Sequence, residues 1–251
     1  MLTENEIFQR TRLLVGDESM RSIAEKRVIL FGVGGVGSWC AESLVRSGIK
    51  KLTLVDSDKV CVSNLNRQLM ATVSSIGEPK VKVLRERLLQ INPHAEIEIR
   101  EEIFTVETAE SFCIQNYDCI IDAIDSLQDK ALLILMASKT KAAFFSSMGA
   151  ALKMDPTKIH VAEFWKVQGC PLARALRTKF RKNHTLPARK FLCVYSEELL
   201  QNQGEENAII PDGSMTFHKV KTNGTMAHIT AIFGFTLAGL VLQNFTTKNK
   251  K

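Results

Sequence analysis

The sequence predicts an α/β fold built on a doubly wound, mostly parallel sheet with a C-terminal extension, and three observations predict it. Short apolar runs of strand character recur at Arg27–Phe31, Lys51–Val55, Cys119–Ile121 and Ala142–Ser146. Longer stretches of helical character separate them, the alternation that produces parallel sheets with helices on both faces. The first run also passes directly into a glycine turn, Gly32–Gly37, that opens a helix, the setting in which such a turn marks a Rossmann-like domain.

Each element follows from local pattern. Phe8–Gly16 reads as a short helix ending at a glycine. After the strand Arg27–Phe31 and the glycine turn, Ser38–Ser47 carries Trp39, Leu44 and Val45 at helical spacing and stops at Gly48. Lys51–Val55 is the second strand and ends at Asp56. A polar loop leads to a helix from about Pro79 to Gln90, with proline suited to its first turn. Ala95–Ile99 alternates as a strand does, Thr105–Ile114 reads as helical, and Cys119–Ile121 enters the turn Asp122–Asp125. Lys130–Thr140 is an apolar helix and Ala142–Ser146 another strand. Lys166–Gly213 is the least regular stretch, with loop signals at Gly169–Pro171, Gln201–Gly204 and Pro211–Gly213. The final Lys-Asn-Lys-Lys is expected to fray. The division that results is a nucleotide-binding region over 1–150 and an extension of the same domain over 151–251.

Composition narrows the class. Hydrophobic residues make up 45% and charged residues 24% of 251, enough for a core that needs neither metal nor disulfide. The six cysteines form no C-x-x-C pair, which argues against a zinc ribbon and for reduced thiols in a cytoplasmic setting. The N-terminus MLTENEIFQR has no apolar core of a signal peptide. Thr222–Thr247 carries no Lys, Arg, Asp or Glu, so a membrane-associated helix around 225–245 is the minor alternative. Its strongly apolar part covers only Ala231–Leu242 and includes Gly234 and Gly239, which allow close backbone approach, so a buried or interface helix is expected and stable membrane insertion is not. The net charge of +6 is concentrated. Eight Lys or Arg and no acid fall between Lys166 and Lys190, and Arg174, Arg177 and Arg181 recur at helical spacing. A solvated face and an RNA-facing patch are both compatible with that run.

The chemistry is carried by residues at the C-terminal ends of the strands. Gly32, Gly34 and Gly37 form G-x-G-x-x-G, with Gly35 beside them, where backbone N–H groups and the helix dipole receive phosphates. Asp56 closes the second strand 22 residues after Gly34, the position of an acid that holds ribose hydroxyls. To this point an NAD-dependent dehydrogenase fits equally well. The next segment separates the two. Asp58 and Asn64-Leu-Asn66-Arg67-Gln68 follow, and then Gly77-Glu-Pro-Lys80 puts a lysine in the first turn of a helix, where the dipole disfavours it. Arg67 and Lys80 together suit a triphosphate, and Asp122 and Asp125 offer carboxylates that could hold Mg2+ against it.

The motifs RVILFGVGGVGS, LVDSDKV, SNLNRQ, GEPK and DAIDS, in this order over residues 10 to about 150, resemble the adenylating domain shared by ubiquitin-activating enzymes and the bacterial ThiF and MoeB proteins. The resemblance implies ATP and Mg2+ as cofactors, Asp56 on the ribose, and Asn64, Arg67 and Lys80 on the phosphates. It also implies Asp125 as the magnesium-side acid and Arg10 as an arginine that reaches a partner subunit's site, hence a homodimer. Within that family the chain is similar to the subfamily of tRNA threonylcarbamoyladenosine dehydratases, on GVGGVGSWCAESLVRSGI, QINPHAEIE, ALKMDPTKI, PLARALR and FLCVYSEE. That resemblance implies adenylation of the threonyl carboxylate of the modified adenosine in the tRNA anticodon loop, followed by cyclisation. Arg174, Arg177 and Arg181 are then the candidate tRNA contacts. Activation of a carrier-protein C-terminus for sulfur transfer, with a cysteine desulfurase or sulfur acceptor as partner, is the second reading. A non-catalytic nucleotide-binding adaptor for RNA or protein is the third. Asn223 and Gly224 stand where some members carry a sulfur-accepting cysteine, and Cys193 is expected to be a packing residue.

Overall fold

The structure, a computed structural model, describes residues 3–204 and 223–247. The turn expected at 211–213 and the tail 248–251 lie outside the described residues. Three helices precede the sheet, α1 (Glu4–Ile7), α2 (Gln9–Val15) and α3 (Asp17–Glu25), where the sequence pattern predicted one. Gly16, at φ +83°, breaks α2 from α3. Strand β1 (Arg27–Phe31) turns through the glycine loop into α4 (Gly37–Arg46), and β2 (Lys51–Val55) follows. Next come α5 (Lys80–Ile91), β3 (Glu96–Arg100), β4 (Cys119–Asp122), α6 (Leu127–Ala137) and β5 (Ala143–Ser147). The helix expected over Thr105–Ile114 is two short 3-10 turns, Ala109–Phe112 and Ile114–Asn116, separated at Cys113 with φ +45°. A residue in that left-handed region interrupts a right-handed helix.

The region expected to be irregular contains two regular elements. After β6 (Ile159–Glu163), α7 (Pro171–Lys182) buries Ala173, Leu176 and Phe180, and β7 (Leu192–Ser196) runs into the core. Proline in the first turn and apolar residues three and four apart are what make 171–182 helical. The last helix, α8 (Ala227–Thr247), completes the chain's described part.

All seven strands join one sheet in the order β3-β2-β1-β4-β5-β7-β6, parallel throughout except for β6, which pairs antiparallel with β7. Residues 159–196 therefore extend the sheet begun by residues 27–147. One core layer collects Leu44, Leu84, Phe233, Leu237 and Val241 from α4, α5 and α8. The other collects Phe31, Phe112, Leu133, Leu176 and Phe180. On α8, Ile229, Phe233, Leu237, Ala238, Val241 and Phe245 are buried, so the helix is a structural part of the core. It is also long and apolar enough by composition to cross a membrane. Gly234 is the crossing point with α4: an added Cβ would lie 2.5 Å from the Val36 carbonyl oxygen. Gly239 meets nothing within 4 Å, so the close approach expected there does not occur among the described residues.

Candidate active site

The parallel order reverses between β1 and its two neighbours β2 and β4, and a crevice opens where helices leave such strands on opposite faces. The glycine loop lies there. Gly32 has φ +84°, and a Cβ on it would sit 2.7 Å from the Ala123 carbonyl oxygen. A Cβ on Gly37 would sit 1.8 Å from the Gly32 carbonyl oxygen, and one on Gly35 would press on Thr230 of α8 at 3.1 Å. Gly34 differs. Like Gly35 and Gly37 it has no left-handed φ, but here the protein offers only Gln68 Nε2 at 3.7 Å. No side chain caps the start of α4, so its first-turn N–H groups face the crevice side without a side-chain acceptor.

The polar loop after β2 closes one wall. Asp56 accepts the Val33 N–H through Oδ2 at 2.8 Å and the Asp58 N–H through Oδ1 at 2.9 Å, which ties the second strand to the glycine loop. Burial pushes the Asp56 carboxyl above the usual range, with Lys80 opposing. Lys80 is buried, its ammonium 2.7 Å from Asp58 Oδ2, and its N–H donates to the Asp58 carbonyl. Asp56, Asp58 and Lys80 thus form one cluster, as the motif spacing predicts. Asn64 is buried and accepts the Cys61 N–H at 3.1 Å. The Arg67 guanidinium donates to the Ser63 carbonyl at 2.8 Å and to Asn66 Oδ1 at 3.0 Å. Its carbonyl accepts from Trp39 Nε1 and from Thr230 Oγ1.

Three contributors have roles that the sequence did not assign. Ser38 donates to the Gly34 carbonyl at 2.7 Å and accepts the Leu69 N–H, so it locks the glycine loop to the chain just after Gln68. Gln68 is buried, and its Oε1 has no hydrogen-bond partner among the described residues. An unpartnered buried acceptor beside Gly34 calls for a donor from ligand or water. The start of α8 also reaches the site, through Thr230 and through the Thr225 carbonyl, which accepts from Asn66 Nδ2 at 3.0 Å. Its distance in sequence from every motif hides it.

The opposite wall is the turn after β4, and here one expectation is corrected. Asp122 is fully buried, with Oδ2 2.8 Å from the Lys130 ammonium and 2.7 Å from Ser146 Oγ, while Oδ1 accepts the Ile124 N–H. Lys130 is also fully buried and donates to the Ile124 carbonyl. Asp122 therefore braces the turn and has no free face for a ligand or a metal. Asp125 is exposed at the tip of that turn. Among the described residues no three of His, Cys, Asp and Glu cluster as a metal cage, so a Mg2+ ion would be shared between Asp125, phosphate oxygens and water, its ordinary mode.

The basic segment is corrected likewise. Arg174 and Arg181 are exposed on α7, but Arg177 turns inward and donates to the Phe164 and Val167 carbonyls at 3.1 and 2.8 Å. Arg181 lies over the Trp165 ring at 5.5 Å. The three arginines do not make one exposed face, because Arg177 shares the buried side with Ala173 and Phe180. Arg10 is exposed on α2, next to Leu13 and Leu14, which are 82% and 85% exposed. Cys193 is fully buried on β7, and burial pushes its thiol well above the ordinary range. It is held as an unreactive packing residue.

Comparison with known proteins gives a consistent picture. A family model described as the ThiF family matches residues 8–251. The tRNA threonylcarbamoyladenosine dehydratase of Bacillus subtilis is 41% identical over 175 residues, 70% of this chain and 69% of that protein. The Escherichia coli protein of the same name is 33% identical over 251 aligned positions, covering 96% of this chain and 94% of its own. Crystal structures of the E. coli tRNA N6-threonylcarbamoyladenosine dehydratase match with TM-scores of 0.87 in complex with AMP and 0.86 in complex with ATP. Their identities to this chain are 31% and 30%, and each match covers 100% of this chain and 98% of that one.

Proposed function

The chain belongs to the ThiF family, and from that premise we propose that it is an ATP-dependent enzyme acting on tRNA. It adenylates the threonyl carboxylate of N6-threonylcarbamoyladenosine and lets an intramolecular attack close a ring with net loss of water. The observation that carries this reading is that the chain and the ATP- and AMP-bound dehydratase correspond over nearly their full lengths, with the glycine loop, Arg67, Lys80 and Asp125 around one crevice.

A carboxylate resists attack because its oxygen leaves badly. In the proposed reaction a carboxylate oxygen attacks the α-phosphorus of ATP, the bond to the β-phosphate oxygen breaks, and pyrophosphate departs. The carbamoyl nitrogen or oxygen then attacks the acyl carbon, the acyl–oxygen bond breaks, and AMP leaves with the original carboxylate oxygen. The ring-closing group releases its proton. No side-chain nucleophile is needed, and the protein's work is positioning and charge stabilisation. Asp56 holds the ribose side, Asn64, Arg67 and Lys80 the phosphates, and the open space at Gly34 admits phosphate oxygens to backbone N–H groups. Asp125 would hold Mg2+, which neutralises developing charge on the phosphates. Arg174 and Arg181 contact RNA phosphates, and Arg177 supports them from beneath. Arg10 acts in the site of a second copy, with exposed Leu13 and Leu14 as the apolar part of that contact. The setting is cytoplasmic.

The test is mass spectrometry of the modified nucleoside after tRNA, ATP and Mg2+ are incubated with the full chain. The expected product is lighter than its precursor by one water, formed together with AMP and pyrophosphate. Pyrophosphate release driven by a carrier protein and not by tRNA would instead assign the sulfur-transfer reading.

A further inference from the structure

A cleft of about 250 Å³ opens at the end of the sheet remote from the nucleotide crevice. It lies where β1, β4 and β5 begin, between α3 and the end of α8, and is lined by Lys26, Lys141, Gln115, Tyr117, Asp118 and Asn244 among others. Asn244 Oδ1 is buried there without a hydrogen-bond partner among the described residues. The single acid of the cleft is already engaged. Asp118 takes the Lys26 ammonium at 3.0 Å and the Arg27 N–H at 2.9 Å.

The surface beside the cleft is basic and built. The loop after α7 is fastened to the turn between α6 and β5. Ala188 donates its N–H to Ser138 Oγ at 2.9 Å, and the Arg189 guanidinium donates to the Ala137 and Ala142 carbonyls. Those bonds, with the β5–β7 register that pairs Phe145 with Leu192, bring Lys190 beside Lys139 and Lys141. All three are exposed, and none forms an ion pair with a described residue. Lys182, at the end of α7, adds a fourth exposed ammonium to the same pole. From β1 across β4 and β5 to β7 the row spans about 14 Å at the usual strand spacing, enough to follow several backbone charges of a nucleic acid strand.

We propose that this basic pole, Lys26 and Lys141 at the cleft with Lys139, Lys182 and Lys190 beside it, is a second phosphate-docking surface that holds the substrate RNA's backbone away from the reacting nucleoside. The inference rests on the tRNA reading above. An ammonium array around a polar cleft fits phosphodiesters better than protein carboxylates, because phosphates recur at regular spacing along a chain and reward a row of cations. The contacts carry no base information and position the RNA only.

The test is charge reversal at three exposed positions that lie outside the nucleotide site, Lys139→Glu, Lys141→Glu and Lys190→Glu in one full-length chain, with the corresponding Gln triple as a second variant should the first not fold. Fluorescence anisotropy reads tRNA affinity from low to moderate salt. At about 0.7 per neutralised phosphate, neutralising three fewer phosphates flattens the log–log salt slope by about 2 and weakens low-salt binding at least about tenfold. ATP affinity stays unchanged. An unaltered affinity and slope in folded variants overturns the proposal. So does a loss of binding to vesicles containing phosphatidylserine with tRNA binding intact, which would reassign the pole to a membrane surface. Wild-type tRNA that is bound but never dehydrated would overturn the enzymatic reading alone, since the salt slope does not depend on turnover.

Discussion

A Cβ placed on Gly37 falls 1.8 Å from the Gly32 carbonyl oxygen, and one on Gly34 meets only the end of Gln68 at 3.7 Å. The two glycines of one motif therefore answer to different constraints. Gly37→Ala has to displace backbone, and its expected cost is roughly 4 kcal/mol or more, in the range reserved for such clashes. Gly34→Ala is expected to keep stability within about 1 kcal/mol, while ATP affinity falls because the methyl group occupies the approach to the loop. Denaturant melts and calorimetric ATP titration of the two variants separate the roles, and a Gly34→Ala protein with full ATP affinity would remove that residue from the phosphate site. The two cations are tested in the same way. Arg67→Ala and Lys80→Ala should each lower turnover at least about tenfold, since a hydrogen bond to a charged group is worth about 1.5–3 kcal/mol. Lys80 faces Asp58 at 2.7 Å, so removing it also leaves a carboxylate unpaired. A Lys80→Ala chain that melts normally and turns over normally would make the lysine irrelevant to both.

At the scale of elements, the turn after β4 depends on a pair that no solvent reaches. Lys130 and Asp122 are both fully buried, 2.8 Å apart, and their remaining bonds go to Ser146 and to the Ile124 backbone. Lys130→Met leaves the Asp122 charge buried and alone, an expected loss of about 3–5 kcal/mol. Adding Asp122→Asn should recover part of that stability in urea melts, yet ATP affinity should remain lowered, because the turn that presents Asp125 has lost its brace. Full recovery of both would reduce the pair to a packing feature. In the sequence this turn was legible as a position but not as an arrangement: Asp122 and Asp125 are equally acidic and close together, and only burial separates the brace from the exposed acid. The parallel strands were legible because burial on both faces leaves continuous apolar runs such as Arg27–Phe31. Ile159–Glu163 was not, since an edge strand half open to solvent carries no such run. Helix α7 was legible only through the helical spacing of Arg174, Arg177 and Arg181, and its charge hid the bounds and the buried face that Leu172, Ala173, Leu176 and Phe180 define. Ser38, Gln68 and Thr230 act at the site through tertiary hydrogen bonds, which no local pattern records.

For the whole molecule, the open question is what covers α2. Leu13 and Leu14 stand more than four-fifths exposed on a helix with no buried residue of its own, and Arg10 precedes them by one turn. Two large apolar side chains held in water cost several kcal/mol against burial, so a helix that keeps them invites a partner. A second copy of the chain satisfies this with a closed, two-fold contact in which each Arg10 enters the other's site. The arrangement makes a separable expectation. An Arg10→Ala chain and an Asp125→Ala chain are each expected to be nearly inactive as homodimers. Mixed after unfolding and refolding together, they form heterodimers in which one site lacks both residues and the other retains both, so up to about half of the heterodimer sites regain activity under two-fold symmetry. If Arg10 serves its own chain, each hybrid site still lacks one residue, and verified heterodimers stay inactive. Leu13→Asp with Leu14→Asp provides the physical control: sedimentation should show monomers, and activity should fall with the loss of the dimer while ATP binding at Gly34 and Lys80 persists. A monomeric wild-type chain with full activity would place Arg10 outside the site and leave the exposed leucines to some other contact.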